Sequence, residues 1–238
     1  MNTYENSPYK PFLLASFVLA FSVARLQAAD GTINRFNSSS EVSQWRLDFG
    51  SATHTEQFDP ANDANGNAGS GSMKIILGFN PTLGGENKAA YTRDAFFPGV
   101  NGSQFSGLQM DLKIDPGSAQ DAFGNNGFFS LAIRNTDNYN YVQQFGDNVR
   151  SADGWRHISA SPLVPPDDAI RAITWQLYGG PSQNINGTLT MWIDNVEFTA
   201  VPEPSIFALA GLAGFAFITL RLSHNWQKHG MRFIRVQQ

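Results

Sequence analysis

The chain has 238 residues, of which 13% are aromatic and only 15% charged, and it contains no cysteine. That removes disulfides, thiolate nucleophiles and cysteine-type zinc sites from consideration. Between residues 30 and 200 there are 10 Lys and Arg against 18 Asp and Glu, a balance that opposes nucleic-acid binding.

In chain order, Lys10 precedes an apolar stretch from Phe12 to Ala24, and Ala28 and Ala29 supply small residues for cleavage. This pattern predicts a secretory signal peptide over 1–29. Residues 30–200 then form one domain, long enough to bury a core without covalent staples. Within it the dominant signal is period-two alternation. Leu108, Met110, Leu112 and Ile114 alternate with Gln109, Asp111 and Lys113, and Asp115-Pro116-Gly117 ends that strand with turn chemistry. Further strands are predicted at 73–79, 128–134, 139–145, 155–159, 170–178 and 188–198, separated by Asn-Gly and Gly-Gly pairs such as Asn126-Gly127 and Gly179-Gly180. Seven strands without crossover helices predict an all-β fold, two antiparallel sheets packed as a jelly-roll sandwich.

Beyond the domain, Pro202-Glu203-Pro204 leads into an uncharged run at 206–220, followed by Arg221, Lys228, Arg232 and Arg235. As a helix the run covers about 22 Å, short of a hydrocarbon core of about 30 Å, and Ser205, Leu222 and a snorkelling Arg221 extend it toward a span. The basic residues at 221–238 predict a cytoplasmic end, with everything before residue 201 on the other side of the membrane.

Catalytic patterns are sparse. His54 and His157 are the only histidines between residues 30 and 200, and neither a Gly-x-Ser-x-Gly elbow nor a paired-carboxylate motif is present. Asp63, Asn65 and Asn67 have the oxygen spacing of a calcium loop, but Ala68 and Lys74 stand where such a loop needs glycine and glutamate. The same residues suit a turn in which side chains accept from the local backbone. Alternation also predicts a binding face. With Ile173, Trp175 and Leu177 inward, Thr174, Gln176 and Tyr178 point outward; Leu131 and Ile133 inward turn Arg134 outward; Leu189, Met191 and Ile193 inward leave Trp192 outside. Trp192, Tyr178, Gln176, Arg134, Asp111 and Lys113 are then expected to form one exposed platform of rings and hydrogen-bonding groups suited to a sugar. A register slip of one residue would exchange the faces and bury Trp192.

Residues 201–221 resemble the PEP-CTERM sorting signal of Gram-negative bacteria that make exopolysaccharide. The resemblance implies an exosortase-type processing protease as partner, with Pro202, Glu203 and Pro204 as the recognised residues. It further implies inner-membrane anchoring before processing and an envelope or extracellular destination afterwards. The segments 45–49, 62–75, 110–115, 154–158, 173–178 and 187–198 resemble carbohydrate-binding-module and galactose-binding-type jelly rolls. That resemblance implies a non-catalytic glycan-binding domain with exopolysaccharide as a candidate partner; the alternatives are a structural matrix protein without a specific ligand and a divergent polysaccharide-acting enzyme. It also implies a possible structural calcium at Asp194, although Asn37 stands where the pattern carries an acid, so no cofactor is expected.

Overall fold

A computed structural model describes residues 31–82, 87–94, 100–102, 105–135, 141–161, 169–180 and 184–200. The predicted signal peptide, the Pro202-Glu203-Pro204 motif and the 206–220 run lie outside them. Among the described residues no helix is long and apolar enough to cross a membrane. Residues Ala29–Val201 make one compact unit.

The described strands are β1 (Thr32–Asn34), β2 (Arg46–Gly50), β3 (Thr53–Asp59), β4 (Ser72–Phe79), β5 (Lys88–Arg93), β6 (Val100–Asn101), β7 (Phe105–Ile114), β8 (Phe128–Asn135), β9 (Tyr141–Asn148), β10 (Trp155–Ala160), β11 (Ala169–Tyr178) and β12 (Gly187–Ala200). A single-turn helix, α1 (Ser39–Val42), follows β1. The first sheet runs β10-β7-β12-β4-β3, with β1 also on β12; the second runs β2-β5-β11-β8-β9, with β6 also on β11. Every pairing is antiparallel. The described residues thus form an all-β two-sheet sandwich, as the alternation predicts.

The seven predicted strands are present within a few residues of their expected bounds. β1, β2, β3, β5 and β6 were not among the strands predicted from alternation, although the 45–49 segment that resembles a jelly-roll element overlaps β2. β5 hides because Ala89 and Ala90 are small on both faces, so Lys88–Arg93 (KAAYTR) lacks a clean alternation. β3, whose first five residues are exposed, is an edge strand and has little apolar signal to read.

Alternation sends one set of side chains from each sheet into a common core. Met73, Ile75, Leu77, Leu108, Met110, Leu112, Leu189, Met191 and Ile193 come from the first sheet; Tyr91, Phe129, Leu131, Ile133, Ile173, Trp175 and Leu177 come from the second. Trp175 is the centre of the second set. Its ring stacks on Tyr91 at 4.6 Å and 12° and lies 6.1 Å and 16° from Phe129, which joins the three adjacent strands β5, β11 and β8 through their inward side chains. Tyr91 donates its hydroxyl across to Glu56 on β3 of the other sheet, 3.1 Å away. Burial, reinforced by the Glu56 charge, pushes the Tyr91 hydroxyl pKa well above that of an ordinary tyrosine.

The entry into the first sheet is fixed by Glu41 on α1. Its carboxylate accepts from three successive backbone N–H groups, those of Arg35, Phe36 and Asn37, each at 2.9 Å. Phe36 adopts a left-handed backbone (φ 46°) to aim its N–H into this concavity while its ring is fully buried.

Trp175→Ala is expected to cost about 3–5 kcal/mol, because it leaves a cavity between Tyr91 and Phe129. Trp175→Phe is expected to cost much less, since a ring still fills the stack. Denaturant midpoints of the two variants check this; equal losses would refute the packing role assigned to the ring.

Candidate functional site

The residues of the predicted platform lie on two different sheets. Asp111, Lys113 and Trp192 stand on the outer face of the first; Arg134, Gln176 and Tyr178 stand on the outer face of the second. The inward and outward assignments follow the alternation, but the two sheets face away from each other on those sides, so the six residues make no single surface. Sequence alternation assigns a face within a strand and says nothing of which sheet the strand joins.

Trp192 is the second correction. It is on the outer face yet only 6% exposed. Its Nε1 donates to Asp59 at 2.8 Å, and the amino groups of Lys113 and Lys74 lie 5.1 and 5.7 Å from its ring centre. Lys113 is held there by Asn62 at 3.0 Å, and it lies 5.8 Å from the ring of Trp155 as well. The segment after β3 has folded over the indole, and both of its neighbouring cations stack against it. Burial raises the pKa of Asp59, but hydrogen bonds from Trp192, Ala61 and Asn62 and the charge of Lys74 outweigh it, so the carboxyl sits below its ordinary range.

Asp111 and Asp194 form a corner network on the same face. Asp111 holds His157 Nδ1 at 2.9 Å and accepts from the Asn195 side chain at 2.8 Å. Asp194 is fully buried. One of its oxygens accepts from Ala64 N at 2.9 Å and the other from Asn195 N at 2.7 Å, where Asn195 turns left-handed (φ 47°) at a bulge in β12. Burial, together with the charges of Asp63 and Asp111, raises the Asp194 pKa to about 6 even though the two N–H donors oppose the shift.

The calcium reading meets the same donors. Asp63 Oδ1 accepts from Asn65 N at 2.9 Å and Asn67 N at 2.8 Å, which is the turn geometry, and Asn37 accepts from Ser70 at 2.7 Å. Among the described residues no group of three His, Cys, Asp or Glu is arranged to hold a metal. Asp63 Oδ1 and Asn37 Oδ1 thus each accept from donors of the protein itself.

The outer face of the second sheet is built differently. The floor is polar: Thr92, Ser130 and Thr174 are fully buried and Gln176 is 2% exposed. Thr92 and Thr174, cross-strand partners on β5 and β11, share a 2.8 Å hydrogen bond. Arg134 on β8 donates from Nε to Thr174 at 3.2 Å and from Nη2 to Asp48 on β2 at 2.6 Å, reaching past β11 and β5. Tyr178 donates its hydroxyl to Gln176. Around this floor stand partly exposed rings. Tyr141 on β9, 39% exposed, lies 5.8 Å from the Arg134 guanidinium and 3.4 Å from Ser130. Lys88 places its amino group 4.8 Å from the Phe49 ring centre and 5.5 Å from that of Tyr178.

Of this face the sequence reading found Arg134, Thr174, Gln176 and Tyr178. It missed Asp48, Phe49, Lys88, Thr92 and Tyr141. β2 and β5 carry most of these, and Gly50 and the paired alanines weaken their alternation; Tyr141 was assigned a strand but no role. The readable signal was Thr174, whose outward direction in β11 was evident and whose hydroxyl is the junction of the network.

No protein-family model matches the sequence, and neither does any curated protein. Solved structures do match the fold. A carbohydrate-binding module of the β-sandwich superfamily, described for its promiscuous specificity, aligns at 13% identity with a TM-score of 0.51, covering 72% of this chain and 62% of that one. An exo-β-agarase aligns at 11% identity and TM-score 0.50, covering 73% of this chain and 25% of that one. An arabinose-bound α-L-arabinofuranosidase aligns at 11% identity and 0.49, covering 72% and 26%. The chain therefore spans under two thirds of each of these proteins, and at such identities the likeness is one of fold.

Two outcomes follow from the first sheet. Trp192→Ala is expected to destabilise the domain by about 3–5 kcal/mol, as for a core indole, despite its outer-face position; a melting point within a degree or two of wild type would refute the burial. The second concerns pH. Because the folded pKa of Asp194 lies above its unfolded value, the folded state binds the extra proton between about pH 6 and pH 4. Stability is expected to rise as pH falls through that window, by up to about 3 kcal/mol. Below about pH 4 the depressed carboxyls of Asp59, Asp63, Asp121 and Asp147 reverse the trend. Denaturation midpoints against pH check the slope, which Asp194→Asn should flatten.

Proposed function

We propose that the domain is a non-catalytic glycan-binding module whose ligand lies on the outer face of the second sheet. The observation that carries this reading is the set of partly exposed groups at the rim of that face, Tyr141, Tyr178, Phe49, Lys88 and Arg134, held over a buried polar floor of Thr92, Thr174 and Gln176. Sugar recognition needs both parts: rings that pack on the flat C–H faces of a pyranose, and polar groups that are already oriented for its hydroxyls. The Arg134–Asp48 pair and the Thr92–Thr174 bond pre-set those directions, so less ordering entropy opposes binding. The likeness in fold to a carbohydrate-binding module supports the assignment. The domain acts without calcium in this reading, because the oxygens nearest Asp194 serve backbone donors.

The surrounding sequence supplies the address. The signal peptide exports the domain, the 206–220 run anchors it transiently in the inner membrane, and an exosortase-type protease cuts at Pro202-Glu203-Pro204 to release it into an exopolysaccharide matrix.

A glycan array probed with the exported protein is expected to return a restricted set of polysaccharides. Tyr178→Ala and Tyr141→Ala should each weaken binding by about 1–3 kcal/mol, by analogy with the loss of an aromatic stacking contact elsewhere. Trp192 variants that remain folded should bind normally. Retention of full affinity in both second-sheet variants would remove the proposed face. For the address, mass spectrometry of the extracellular fraction should find a C-terminus near Pro204, and recovery of intact Gln238 there would contradict processing.

A further inference from the structure

At the end of the sandwich where β7 passes to β8, one loop presents an aromatic ring that the fold does not use. Phe123 is 82% exposed. A solvated ring at a loop tip is ordinarily attached to a mobile segment, but this loop is tied down. Asp121 Oδ1 accepts from Phe123 N and Asn125 N, each at 2.8 Å, and Asp121 Oδ2 accepts from the Asn125 side chain at 2.9 Å. Asp121 N donates to Asn125 O at 2.8 Å, Gly124 turns left-handed (φ 80°), and Arg150 Nε donates to Asn125 Oδ1 at 2.9 Å. The base is fixed as well, through Ala119 N to Thr188 O and Asn126 N to Val149 O, both at 2.8 Å. Asn125 and Asn126 are buried while the Phe123 ring, in the same loop, is held in water.

From this we infer that Phe123 is a second glycan contact, separate from the sheet face, that stacks on a pyranose ring of the same class of polymer. The inference rests on the proposed glycan-binding function but not on where the sheet face binds. A rigid loop lowers the entropic cost of using the ring, and one phenyl flanked by Ala122 and Gly124 matches the area of one sugar face. It is far smaller than the roughly 800 Å² per partner of a stable protein interface. Exposed Gln120, Arg150, Asn186 and Thr188 lie on the segments joined at this end and supply amide, guanidinium and hydroxyl groups of the kind sugars require. The domain's acidic balance, with Asp121 and Asp153 on the same segments, opposes an anionic lipid surface. Two separate contacts on one polymer would raise its apparent affinity without either being strong.

The test uses the full-length protein in detergent and native gels cast with laminarin, xylan or galactomannan as probes. On any polymer that retards the wild type, Phe123→Ala is expected to weaken retardation about three- to tenfold with an unchanged melting point, and Phe123→Tyr to restore it. Unchanged retardation in Phe123→Ala, with Tyr178→Ala impaired, overturns the loop contact and leaves the sheet face standing. Loss in Phe123→Ala alone supports the loop and removes the sheet face. Wild-type protein that no polymer retards overturns both. A concentration-dependent dimer abolished by Phe123→Ala assigns the ring to a second copy of the chain and overturns the glycan contact.

Discussion

The register of β5, β11 and β8 is the constraint on which the second sheet depends, and the Tyr91–Trp175–Phe129 stack is what holds it. Side chains in a strand repeat every two residues, so a slip of one position would send these rings to solvent and bring Thr92, Thr174 and Arg134 into the core. Neither half of that exchange is tolerable: three large rings would lose their burial, and a guanidinium would be buried against aliphatic side chains. By fixing what points inward, the stack also fixes what points outward.

The outward set is therefore a consequence of the core rather than a separate design. Thr92 meets Thr174 because Tyr91 meets Trp175 one residue away, and Arg134 reaches Asp48 because β5 and β11 lie between β8 and β2 with short side chains, Thr92 and Thr174, in the path. Arg134 and Asp48 are both largely withdrawn from water, with side-chain exposures of 12% and 17%. A pair in that setting gains little net stability over an apolar replacement. Its value lies in orientation. The first sheet spends its polar groups otherwise: Asp59, Lys74 and Lys113 close over Trp192, and Asp111 and Asp194 tie the Asp63 loop and His157 to the β12 bulge.

What could be read from the sequence divides along this line. The inward sets of β7, β11 and β12 were plain because apolar side chains recur at every second position, from Leu108 to Ile114, Ile173 to Leu177 and Leu189 to Ile193. β2, β3 and β5 were not, since an edge strand or a pair of alanines carries no such contrast. Trp192 shows the deeper limit. Its face followed from its neighbours Met191 and Ile193, but its burial came from Asp59, 133 residues earlier, through a segment whose path no local pattern specifies. The separation of Trp192 from Tyr178 is likewise a matter of sheet membership, decided by long-range pairing. Phe123 lay in plain view in a turn sequence, yet its exposure on a fixed loop becomes meaningful only once the Asp121 hydrogen bonds are known.

The central claim is that the second sheet, and not the first, carries the ligand. Amide and side-chain NMR spectra recorded while a bound polysaccharide is titrated in test this most directly, because both faces report in one sample. The account predicts shifts at Arg134 Nε, the Gln176 side-chain amide and the backbone of Tyr178, with the Trp192 indole N–H unmoved. Shifts concentrated at Trp192, Lys113 and Trp155, with the second-sheet signals unchanged, would contradict it.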